Sequence, residues 1–70
     1  MRRAELLRKI AKQARTKCVD FELVREGGSH SLYRCGDVRV TVPRHSEINE
    51  LTARGILAET ESALGRGWWR

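Results

Sequence analysis

Two of the 70 residues are histidines, and one of them, His30, directly follows Gly27-Gly28-Ser29. Histidine is the side chain whose unperturbed pKa lets it give or take a proton near neutral pH. Glycine lets the backbone take positive φ and approach a ligand closely. The spacing suggests a proton-transfer group displayed at a loop tip, with Gly28 and Ser29 positioning the ring. The ordinary alternative is a Gly-Gly hairpin turn with a solvated histidine beside it. Ser29 and Ser31 flank His30, but a serine nucleophile there lacks a third group to orient the pair. Two histidines, two cysteines and scattered acids show no metal-ligand spacing, so neither a metal nor a cofactor is expected.

The net charge of +5 and a pI near 10 point to an anionic partner: nucleic acid, an anionic membrane or an acidic protein. The excess is concentrated at one end. Residues 1–17 hold Arg2, Arg3, Arg8, Lys9, Lys12, Arg15 and Lys17 against Glu5 alone, whereas the rest of the chain is close to balanced. No apolar run approaches the length of a membrane span. Cys18 and Cys35 fit reduced thiols, and no signal segment is evident, so a cytoplasmic protein is expected. Seventy residues allow one domain with a thin core.

These groups must be positioned by elements that alternation and periodicity make legible. Over residues 2–16, Leu6, Leu7, Ile10, Ala11 and Ala14 recur at helical spacing. Residues 18–25 alternate, with Val19, Phe21 and Leu23 on one side and Asp20 and Glu22 on the other, as in a half-buried strand. A second strand runs from about His30 to Cys35, and Val38, Val40 and Val42 mark a third. Gly36-Asp37 between them suits a type II′ hairpin turn. A second helix is predicted from Glu50 to Leu64, with Asn49 as N-cap and Gly65 as its stop. The domain then spans residues 1–65. Residues 66–70 form a short irregular tail whose Trp68 and Trp69 either fold back or contact a partner, with fold-back favoured.

The Gly36-Asp37 turn sets a register in which paired positions sum to 73, so Cys35 faces Val38, Tyr33 faces Val40, Ser31 faces Val42 and His30 faces Pro43. Directly opposed residues share a face. Ser31, Tyr33, Cys35, Val38, Val40 and Val42 therefore line the core, and His30, Leu32, Arg34, Arg39 and Thr41 lie on the other face. For Phe21 and Leu23 to join the core, the first hairpin needs an odd loop, 26–30 or 27–29. Pro43 ends the third strand. Had that strand continued, the Cα of His45 would lie roughly 8 Å from that of His30, close enough for a second acid/base. If the chain turns at Pro43, His45 merely precedes the second helix. The fold class is α+β, ordered α-β-β-β-α, with a three-stranded antiparallel meander and both helices on one face.

This order and these residues resemble the HicA toxin family, the small RNA-cleaving component of a bacterial toxin–antitoxin pair. The resemblance is carried by the basic first helix with Leu6, Leu7 and Ile10, by Gly28-Ser29-His30 and Tyr33, and by Val40-Thr41-Val42-Pro43-Arg44-His45. It continues through Glu47-Ile48-Asn49-Glu50 and Thr52-Ala53-Arg54-Gly55-Ile56-Leu57. It implies a double-stranded-RNA-binding-like fold, metal-independent endonucleolytic cleavage of mRNA, and His30 as the catalytic histidine. Many members carry a second histidine directly after it, where this chain has Ser31. The partner implied is a cognate antitoxin resembling HicB, which would cover the open sheet face or the His30 loop.

In double-stranded-RNA-binding domains the first helix, the first hairpin loop and the start of the second helix meet the RNA. Arg8, Lys9, Lys12 and Arg15 would then contact phosphates, and Arg44 with the N-terminus of the second helix would offer another anion site. Without an exposed aromatic platform apart from the tail residues Trp68 and Trp69, sequence selectivity is expected to be weak. The alternatives are a non-catalytic RNA-binding module of the same fold and a subunit that works only inside a complex.

Overall fold

A computed structural model describes all 70 residues. Its elements are α1 (Arg3–Thr16), β1 (Phe21–Glu26), β2 (His30–Cys35), β3 (Val38–Pro43), α2 (Glu50–Glu59) and α3 (Glu61–Leu64). The three strands form one antiparallel meander in the order β1-β2-β3.

The apolar stripe of α1 buries Leu6, Ile10 and Ala14 against the sheet. The helix closes in a Schellman motif. The Cys18 amide donates to Arg15 O at 3.2 Å, and the Val19 amide donates to Ala14 O at 2.8 Å. Cys18 holds the left-handed position of that motif, at φ 57°, and is the one non-glycine residue with positive φ. The motif delays the first strand, which begins at Phe21 where alternation predicted residue 18. Val19 still packs against the core, from the cap.

The β2–β3 register is the one expected, from His30↔Pro43 to Cys35↔Val38. Gly36 has φ +60° while Asp37 does not have positive φ, so the turn is not type I′ and fits type II′. The core face carries Ser31, Cys35, Val40 and Val42, all fully buried. Ala53, Ile56 and Leu57 of α2 complete that layer beside α1. Phe21 stacks on Tyr33, ring centroids 5.1 Å apart, as a diagonal cross-strand pair.

The β1–β2 register begins as expected, with Phe21↔Cys35 and Leu23↔Tyr33, but a bulge follows. Arg25 pairs with Leu32 and Glu26 with Ser31, leaving Val24 as the extra residue, and residues 27–29 join the strands. The bulge reverses the parity of the strand end. Arg25 moves to the open face of the sheet, and Glu26 moves to the helix side opposite Ser31.

Asn49 caps α2 as predicted, its Oδ1 accepting from the Thr52 amide at 2.8 Å. The single helix expected over residues 50–64 is divided at Thr60 instead. The buried Thr60 hydroxyl donates to Leu57 O at 2.7 Å and accepts from Trp68 Nε1 at 2.9 Å. A side chain bonding back to the preceding turn competes with the helical ladder there. After Gly65, at φ 109°, the tail folds back. Trp68 and Trp69 pack against the core, and Trp69 Nε1 donates to Glu61 Oε2 at 2.6 Å.

Candidate functional site

His30 is the first residue of β2 and is exposed. Ser29 Oγ lies 3.3 Å from its Nδ1, leaving Nε2 as the ring nitrogen free for a substrate. The loop before it is tied at several points. The Gly27 amide donates to His30 O at 2.8 Å, and the Arg44 amide donates to Ser29 O at 3.0 Å. Arg44 Nη1 donates to Gly27 O at 2.7 Å, and its Nη2 lies 3.9 Å from Glu26 Oε2.

The two glycines differ in purpose. Neither has positive φ, so the left-handed freedom expected of them is not used. A Cβ at Gly27 would lie 2.9 Å from the backbone oxygen of His30, so the close approach there needs glycine. A Cβ at Gly28 would meet nothing within 4 Å.

Ser31 is fully buried and takes no exposed role beside His30. Its hydroxyl donates to Glu26 Oε1 and accepts from Arg3 Nη2 at 2.9 Å. Arg3 Nε also donates to Pro43 O at 2.8 Å. Thus the first residue of α1 joins the ends of β2 and β3, and the bulge supplies the carboxylate that completes the network. Chain pairing between Met1–Arg3 and Ser46–Ile48 fixes the same end of α1. There the Arg3 amide donates to Ser46 O at 2.9 Å and the Ile48 amide to Met1 O at 2.8 Å.

His30 lines a shallow pocket of about 210 Å³ with Arg25, Ser29, Leu32 and Thr41. Leu32 and Thr41 lie on the sheet face opposite the helices, so the pocket opens to that side. Arg25 is the member that strand alternation missed, since unbroken parity places it on the core side with Phe21 and Leu23. The available signal is the charge itself, a cation continuing the apolar line of Phe21 and Leu23; of these Phe21 packs against the core, whereas Leu23, expected to join it, stays half-exposed. His45 does not line the pocket. β3 ends at Pro43, the chain bends over residues 44–46, and His45 is exposed in that bend.

Arg8, Lys9, Lys12 and Arg15 are all exposed, and none forms an ion pair. At 1.5 Å rise per residue they begin roughly 8 Å beyond Arg3 along α1 and reach roughly 18 Å, away from the His30 end. They lie in the helix layer, across the sheet from the pocket mouth. Arg44 stands between the two regions and lines a cleft of about 610 Å³ with Arg2 and Arg3 at the start of α1.

Burial raises the Cys35 thiol above its ordinary pKa, whereas Cys18 is exposed. No three His, Cys, Asp or Glu side chains come together as metal ligands would. No helix is long and apolar enough to cross a membrane. Comparison with protein-family models, curated proteins and solved structures finds no match.

Proposed function

We propose that this protein is an endoribonuclease in which His30 transfers the proton at the scissile phosphate, and that it acts as the toxin of a HicA-like toxin–antitoxin pair. The observation that carries the reading is an exposed imidazole in a pocket shared with an unpaired arginine, on a loop that backbone and side-chain bonds hold in place. In the reaction, the ribose 2′-oxygen attacks the adjacent phosphorus and the bond to the 5′-oxygen breaks. The products are a 2′,3′-cyclic phosphate and a 5′-hydroxyl. His30 takes the proton from the 2′-hydroxyl or gives one to the departing 5′-oxygen, and water exchanges the other.

A positioned proton carrier supplies about 10²–10⁴-fold. That rate suits a protein that depletes mRNA over the time of a growth arrest. Arg8, Lys9, Lys12 and Arg15 attract the polyanion at long range. An acidic partner resembling HicB would be the cytoplasmic inhibitor, neutralising the basic surface or covering the His30 loop.

The test is cleavage of single-stranded RNA by the purified chain and by His30→Ala, with DNA of the same sequence as control. Expected are cyclic-phosphate ends from RNA, resistance of DNA, and a loss of about 10²-fold or more in the variant. Equal cleavage by both chains would remove His30 from the chemistry. The unpaired cations of α1 favour a second reading, a non-catalytic RNA-binding module, which the same assay identifies by binding without cleavage.

A further inference from the structure

The open face of the sheet is charged in a pattern that folding alone does not call for. Arg34 and Arg39 are directly opposed across β2 and β3, and like charges in that relation are destabilising. Arg34 is compensated, by Glu22 on β1 and by Gly36 O at 2.8 Å. Arg39 has no partner and is exposed. Arg25 has none either, and it stands on this face only because the Val24 bulge reverses its parity. A bulge beside a functional group commonly re-aims a side chain.

Distance links these cations to His30. From strand rise and spacing, the Cα of Arg25 lies roughly 8 Å from that of His30 and the Cα of Arg39 roughly 14 Å. The row Arg25–Leu32–Thr41 lies between His30 and Arg39, and its members line the pocket. The strip thus leads from the imidazole along the sheet, with an unpaired guanidinium near each end, and the acid beside it, Glu22, is taken up by Arg34.

We infer that this strip is the track for the RNA strand. Single-stranded RNA lies across the open sheet face, with Arg25 holding a phosphate next to the scissile one and Arg39 holding a phosphate further along. The helix cations across the sheet then serve encounter and not alignment. The inference rests on the proposed ribonuclease reading for its choice of ligand; charge complementarity and the approach to His30 carry the rest. With no aromatic ring on this face, the track reads backbone and not base.

The experiment uses the full chain carrying His30→Ala, so that the RNA survives, and a fluorescein-labelled single-stranded RNA of mixed sequence. Affinity is measured against salt with and without Arg25→Gln and Arg39→Gln. Each lost phosphate contact should flatten the plot of log affinity against log salt by about 0.7. Arg39→Lys should restore the slope, because a phosphate contact needs only the charge, and thermal midpoints should not fall, since Arg39→Gln relieves the repulsion with Arg34. In the active chain, Arg39→Gln should raise KM with kcat retained.

A wild-type salt slope in both Gln variants would overturn the track and leave the strip to an acidic protein surface. If the chain cleaves RNA and Arg25→Gln and Arg39→Gln cleave it with wild-type KM, the track fails and the ribonuclease reading survives. If the slopes flatten but the wild-type chain cleaves nothing, the track stands and the ribonuclease reading fails.

Discussion

The two hairpins of the sheet share β2 and are held by different means. The β2–β3 hairpin is regular, with six consecutive pairs and a glycine-led turn. Its information is local, because alternation and one turn type determine every partner. The β1–β2 hairpin carries a bulge, and its loop is tied down by residues distant in the chain, Arg3 and Arg44. The regular hairpin contributes the core, and the irregular one presents His30. His30 lies exposed at the end of the central strand, away from the apolar core, and hydrogen bonds from distant residues hold the loop before it.

The largest effect that separates the hairpins is expected from Arg3→Ala. It removes the bonds to Pro43 O and Ser31 Oγ, and hydrogen bonds from a charged donor contribute about 1.5–3 kcal/mol. A loss of about 2–3 kcal/mol should lower Tm by roughly 10–20 °C in a domain of this size. Hydrogen exchange should rise most at Glu26 and Ser31. Uniform loss across both hairpins, with no excess at the His30 end, would mean that Arg3 merely supports the whole fold.

Next comes Gly36→Ala, aimed at the regular hairpin. The residue has φ +60°, and its Cβ would meet Val19 Cγ1 at 3.2 Å and Ala63 Cβ at 3.4 Å. A left-handed conformation for alanine costs about 1–2 kcal/mol, and the crowding adds to it. Stability measured by urea unfolding should fall while RNA cleavage per folded molecule is kept. Loss of cleavage in the folded fraction would show that the two hairpin ends are coupled.

The glycines of the other loop invert that pattern. Gly27→Ala puts a Cβ against the backbone of His30 and should displace the imidazole. A misplacement near 1 Å costs about 10²-fold in rate, so cleavage should fall far more than stability. Gly28→Ala meets open space and should leave both unchanged. Equal effects at the two positions would show that the loop is not held as described.

The same contrast explains what could be read from the sequence. The register from His30↔Pro43 to Cys35↔Val38 was legible because apolar alternation and Gly36-Asp37 are short-range signals that agree. So were the Asn49 cap and the Gly65 stop. The Val24 bulge was not, because alternation assumes an unbroken strand, although Arg25 in line with Phe21 and Leu23 was a warning. Arg3 read as one more cation of a basic helix, since its partners are 28 and 40 residues away. Thr60 looked like an ordinary helical position until the Trp68 indole, eight residues on, supplied its second bond. Ser31 was placed on the core face by register, but its partnership with Glu26 needed the bulge. His30 was therefore found from its own sequence context, and the groups that hold it only from the fold.

The smallest expected effect uses the two thiols. Cys35 is the last residue of β2, fully buried at the turn end of the regular hairpin, and Cys18 is exposed at the cap of α1. Burial raises the Cys35 pKa, so the native state holds that proton more tightly than the unfolded chain does. Its contribution is fully present below the ordinary thiol pKa and is lost as pH rises through and above it. Stability should accordingly decline modestly on the alkaline side, and Cys35→Ser should not show that part of the decline. A disulfide reagent should modify Cys18 promptly and Cys35 only when the turn end opens. Under Arg3→Ala the Cys35 rate should rise no more than global unfolding allows, because the network that Arg3 joins lies at the opposite end of β2. A larger rise would mean that the irregular hairpin also restrains the regular one, and that the two are a single cooperative unit.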